Sequence, residues 1–231
     1  MAAVRGALDA HAHLFEPARG GGGGPARRTL VLLHGTGDDE HGFAAFGRLL
    51  DRDAALFSVR GNVRENGMNR FFRRLAEGVY DMDDLARRTR ELIAFLDAAF
   101  VAYAIERGGA VAVGYSNGAN IAASLLLLRP EVLRAAALLH AMVPLEPDVL
   151  PDLGGTDVLV TGSMHDPIVP GDQTEALARM LSAAGADVEV EIGSGGHELT
   201  PRELEVASRW VAGVPGPIER APERSAPRRQ P

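Results

Sequence analysis

The chain is predicted to adopt an α/β fold, a mostly parallel sheet with helices on both faces. Residues 29–34 (TLVLLH) form a continuous apolar run, the pattern of a strand buried on both sides. From there to residue 211, short runs of this kind alternate with stretches of helical periodicity, which implies right-handed crossovers between parallel strands. A length of 231 residues, with 46% hydrophobic and 24% charged side chains, is enough for one sizeable core.

Taken in order, residues 10–15 read as an edge strand that turns back across a glycine spacer at 20–24. Strands are expected at 29–34, 54–59, 110–115, 134–140, 156–161 and 187–192. Helices are expected at 42–50, 83–107, 117–128, 172–184 and 201–211. The long helix starts after acidic residues, which suit a helix N-terminus, and Asp172 reads as a helix cap. Residues 1–213 are expected to form one domain. Residues 214–231, rich in Pro and Arg, read as a disordered tail with little to bury.

Composition excludes several chemistries. There is no cysteine, so disulfides, thiolate metal sites and a cysteine nucleophile are ruled out. All 24 basic residues are arginine, which removes a Schiff-base lysine and a lysine-dependent phosphate loop. The formal charge of −7 disfavours a nucleic-acid partner. No stretch resembles a signal peptide or spans a bilayer, so a cytoplasmic location without membrane insertion is expected. The sequence leaves a homodimer open. His11 and His13 alternate and could share one face, but no third ligand accompanies them, and no metal or cofactor is expected.

Ligands of such folds sit beyond the carboxyl ends of the strands, and the chemistry gathers in those loops. Gly114-Tyr115-Ser116-Asn117-Gly118 joins a strand directly to a helix. A serine on that sharp turn projects its hydroxyl above the sheet, and only small residues fit two positions to either side. A serine hydroxyl needs a base, and the base needs an acceptor to fix its tautomer. Asp166, held in an extended loop by Pro167, and His197, in a glycine-rich loop after the last strand, follow in the order Ser, Asp, His. The developing oxyanion needs backbone donors. The Asn117 N–H is one, at a helix N-terminus, and the Thr36 N–H the other, with Gly37 next in order. His34 is expected to brace that loop. His41, His140 and His165 are expected to pack or hydrogen-bond.

LLHGTG at 32–37, GYSNGAN at 114–120, DPIVP at 166–170 and GGHEL at 195–199 together resemble the phospholipase/carboxylesterase family of α/β-hydrolases, whose members include acyl-protein thioesterases. The resemblance spans residues 10–213. RGNVRENGMNRFF at 60–72 is similar to a bacterial carboxylesterase subgroup, some members of which are associated with hydroquinone breakdown. Dienelactone hydrolases share the fold but typically use cysteine. The resemblance implies an α/β-hydrolase fold with no large lid domain, with which the short connection between residues 140 and 156 agrees, and a cofactor-free serine carboxylesterase acting on small-molecule esters through an acyl-enzyme.

Two loops are expected to wall the pocket. Residues 60–81 carry Met68, Phe71, Phe72 and Tyr80, and residues 141–151 carry Met142, Val143 and Leu145. Phe71 and Phe72 could equally fill core. Arg60, Arg64 and Arg70 are candidates for binding a carboxylate. A thioesterase or acyltransferase would use the same three side chains. A non-catalytic ligand receptor would not need an intact base and oxyanion glycines.

Overall fold

Seven strands build the central sheet: β1 (His13–Glu16), β2 (Thr29–Leu33), β3 (Ala55–Val59), β8 (Ala110–Tyr115), β9 (Ala135–Leu139), β10 (Asp157–Ser163) and β11 (Asp187–Gly193). The computed structural model describes residues 6–19, 28–76 and 78–215. The glycine spacer and residues 216–231 of the expected tail lie outside the described residues. The spatial order is β1-β3-β2-β8-β9-β10-β11. Only β1 runs antiparallel, pairing with β3 at one edge. Every other pairing is parallel, as an α/β-hydrolase sheet requires.

The alternation along each strand sorts its side chains into two cores. Val31 and Leu33 of β2 face one side of the sheet, where α2 (Met82–Ala102), α3 (Asn117–Leu128) and α4 (Gly171–Ala183) pack. Leu30 and Leu32 face the other, covered by α1 (Glu40–Leu50) and α5 (Pro201–Gly213). α3 carries apolar residues nearly all round and is buried from Asn117 to Leu127, the pattern of a helix enclosed on every side.

Several boundaries differ from those the sequence suggests, each for a local reason. α2 ends at Ala102, five residues early, because Ala104 turns left-handed (φ 53°) and the Ile105 N–H donates to Phe100 O. α1 starts at Glu40 because the Asp39 carboxylate accepts from the N–H groups of His41 and Gly42. Asp172 does not cap α4. Pro170 occupies that place, and Asp172 lies in the first turn. Residues 60–81 are not a plain loop. They form two hairpins, β4 (Val63–Glu65) with β5 (Met68–Arg70) and β6 (Arg74–Ala76) with β7 (Val79–Tyr80). Val214, the first residue of the expected tail, is buried in the α1/α5 core.

Candidate active site

Four loops beyond the carboxyl ends of β2, β8, β10 and β11 converge on one cavity of about 280 Å³. Ser116 follows β8 directly. Its backbone is strained (φ 52°, ψ −114°), a conformation that costs on the order of 1–3 kcal/mol and persists only where its surroundings enforce it. The enforcement is visible. The Ser116 N–H donates to Leu139 O at 2.8 Å. A Cβ on Gly114 would lie 2.5 Å from Gly118 O, and one on Gly118 would collide with Leu33 O.

Three side chains meet there. The Ser116 hydroxyl lies 2.9 Å from His197 Nε2, and His197 Nδ1 lies 2.7 Å from Asp166 Oδ2. With the Nδ1 proton donated to the carboxylate, Nε2 is left as the acceptor for the serine hydroxyl. Tyr115 supports the imidazole. Its ring packs against His197, with centroids 5.5 Å apart, and its O–H donates to His197 O at 2.7 Å. A Cβ on Gly35 would lie 2.6 Å from that same tyrosine ring, so the glycine is needed there.

Asp166 is held from all sides. Its Oδ1 accepts from the N–H groups of Ile168 and Val169. Its Oδ2 accepts a second imidazole, His140 Nδ1, at 2.7 Å. Burial would raise the Asp166 carboxyl, but these N–H donors and both histidines outweigh it and hold it below the ordinary carboxylate range. His140 is fully buried at the end of β9. Its Nε2 lies 2.7 Å from Glu203 Oε1, off the axis of a linear hydrogen bond, so charge holds that pair. Burial pulls His140 down, but Glu203 and Asp166 prevail and its proton is bound more tightly than in a free histidine. His140, Asp166 and His197 are also spaced as a metal could use them, but their ligand atoms are spent on one another.

Two backbone N–H groups of residues lining the cavity are left without an acceptor among the described residues. The Asn117 N–H is an orphan of the first helical turn, and the Thr36 N–H has no acceptor among the described residues. The Gly37 N–H, the other candidate, donates instead to Asn69 O at 3.0 Å and is not available. His34 braces this loop. Burial lowers its pKa, so it is neutral. Its Nε2 accepts from the Gly61 N–H at 2.9 Å, and its protonated Nδ1 donates to Gly35 O at 2.6 Å.

Over residues 21–214 the sequence matches the phospholipase/carboxylesterase family. The chain belongs to that family. It is 49% identical to the putative hydrolase MhqD of Bacillus subtilis (strain 168) over 198 residues, covering 86% of this chain and 96% of that protein. The crystal structure of the Bacillus cereus carboxylesterase aligns with a TM-score of 0.83 at 43% identity, covering 87% of this chain and 93% of the other. A carboxylesterase from Mesorhizobium loti aligns with a TM-score of 0.80 at 31% identity, covering 88% and 95%. The protein is therefore a hydrolase of the carboxylesterase type on an α/β-hydrolase fold, with no lid domain among the described residues.

Within this family member, not every expected pocket residue reaches the cavity. Thr36, Met68, Asn117 and Met142 line it with Ser116 and His197. Phe71 and Phe72 do not. They are 1% and 0% exposed and fill the α2/α3 core, with Phe72 backing Tyr80 edge-on at 5.0 Å. Val143 also packs against that core, away from the cavity, and Leu145 is buried in it. Of the three arginines only Arg70 lines the cavity. Arg60 pairs with Glu40, and Arg64 donates to Asn69 Oδ1. Ile168, Val169 and Asn120 line it without having been singled out in the sequence. Asn120 lies one turn beyond Ser116, a spacing that could have indicated it. His11 and His13 share a face, but His11 packs tilted and His13 edge-on against Phe95, and His13 Nε2 lies 2.8 Å from Tyr103 Oη. Among the described residues no helix is long and apolar enough to cross a membrane.

Proposed function

We propose that the protein is a serine carboxylesterase that hydrolyses small carboxylic esters through an acyl-enzyme, with Ser116 as nucleophile, His197 as general base and Asp166 as the group that orients the histidine. The observation that carries this reading is the unbroken contact from Ser116 Oγ to His197 Nε2 (2.9 Å) and from His197 Nδ1 to Asp166 Oδ2 (2.7 Å) at the floor of the cavity. His197 takes the hydroxyl proton as Ser116 attacks the ester carbonyl. The oxyanion is met by the N–H groups of Asn117 and Thr36. The imidazolium then protonates the leaving alcohol, and a water activated by the same base releases the acid. Each oxyanion donor supplies on the order of 3 kcal/mol of the barrier reduction. A cavity of about 280 Å³ suits a short acyl or alcohol group.

The test is a series of p-nitrophenyl esters of increasing chain length. Wild-type protein is expected to cleave the short members and to be labelled at Ser116 by a fluorophosphonate. Ser116→Ala should lose labelling and about a million-fold in kcat. A substitution that leaves hydrolysis intact overturns the assignment.

A further inference from the structure

The cavity is not uniformly apolar. Met68, Met142, Ile168 and Val169 form one part of its wall, while Arg70, Arg74 and Tyr80 form a polar corner. Arg70 is 3% exposed. Its Nε donates to Phe72 O and its Nη1 to Thr36 Oγ1, at 3.2 and 2.6 Å. Its Nη2 has no acceptor among the described residues. Glu65 lies 3.4 Å from Arg70 Nε but sits closer, at 2.7 Å, to Arg74 Nε, so it neutralises Arg70 only in part.

Tyr80 completes the corner. The Asn120 amide is oriented by accepting the Met142 N–H at its Oδ1, so its Nδ2 donates to Tyr80 Oη at 2.6 Å. Tyr80 is thereby an acceptor to Asn120, and its own O–H is left with no acceptor among the described residues. Burial pushes the phenol far above its ordinary value, so the proton stays on. Two unspent donors, one of them on a desolvated cation, therefore belong to residues that line the cavity beside Ser116. An acceptor-only anion is the group that complements them, because a neutral apolar chain would leave both unsatisfied.

We propose that Arg70 and Tyr80 form a carboxylate subsite, and that the preferred esters carry a free carboxylate on the acyl chain, as in hemiesters of short dicarboxylic acids. This rests on Ser116 acting as the nucleophile. The test compares monomethyl glutarate with its neutral isostere, methyl 4-carbamoylbutanoate. Wild type is expected to show a kcat/KM higher for the acid by about tenfold or more. Tyr80→Phe should reduce that ratio severalfold, and Arg70→Gln should reduce it further, with Arg74 the one cation left in the lining. Should Arg70→Gln not fold, the wild-type ratio and Tyr80→Phe decide the matter. Equal values for the two esters overturn the subsite and leave Ser116 standing. Cleavage of neither also overturns the subsite, and fluorophosphonate labelling of Ser116 then tells whether the hydrolase reading falls with it.

Discussion

Asp166 accepts four hydrogen bonds with two oxygens, and one of those oxygens serves two imidazoles. Replacing it with Asn keeps the shape but offers the wrong partner to His197 Nδ1. Asp166→Asn is expected to lower kcat by about 10⁴-fold, read in the same ester assay. His140 steadies the shared oxygen from the side away from the serine. His140→Gln removes one charged hydrogen bond to Asp166 and the positive partner of the Glu203 carboxylate, so kcat should fall roughly ten- to a hundredfold with a smaller change in KM. Steady-state kinetics separates the two effects. The meeting of Ser116, Asp166 and His197 was legible because each follows a strand in a segment punctuated by glycine or proline. The roles of His140 and Glu203 were not. Their meeting depends on β9 lying beside β10 and on α5 passing beneath, and no spacing in the chain records either. Gly37 illustrates a second limit, since only the fold reveals that its N–H is taken.

Among the elements, those with strong punctuation were placed well and those without it drifted. Asn66-Gly67, with φ of 50° and 83°, is the kind of pair that closes a two-residue hairpin, and that signal was present in a segment read as loop. The end of α2 carried no comparable mark, because the left-handed position falls on Ala104 where glycine or asparagine would be usual. α5 opens with a reciprocal cap. Thr200 Oγ1 accepts the Glu203 N–H, and the Glu203 carboxylate accepts the Thr200 N–H. Thr200→Ala should cost about 1 kcal/mol, a fall in Tm of about 2–4 °C in a chain of this size, measurable by thermal denaturation. Gly118→Ala should cost about 1–3 kcal/mol, since the new methyl meets Leu33 O and α3 must move off β2. Urea unfolding would measure it.

For the whole molecule, the buried charges under the sheet's carboxyl edge make stability depend on pH. His140 holds its proton above the ordinary 6.5, while Asp166 and Glu203 titrate below their ordinary 3.8 and 4.5. A raised histidine stabilises fully below 6.5, and its contribution is lost as pH climbs through the folded value. Depressed carboxylates stabilise fully above 4.5, and their contribution is lost as pH drops through the folded values. This cluster therefore contributes most between pH 4.5 and 6.5. Urea unfolding across the pH range should show decline on both sides, and His140→Gln should flatten the alkaline limb. The parallel sheet and its double helical cover followed from apolar runs and periodicity alone. The pocket wall followed only in part: Met68, Tyr80 and Met142 line it, but Phe71 and Phe72 carry no mark that separates a core residue from a lining one.

The His197 side chain keeps 17% of its surface exposed. That exposed edge leaves an acyl group parked on the serine within reach of bulk solvent. A competing alcohol must then displace water at that edge. Glycerol or methanol added during turnover should yield mostly free acid and little transesterified product, whichever ester is supplied.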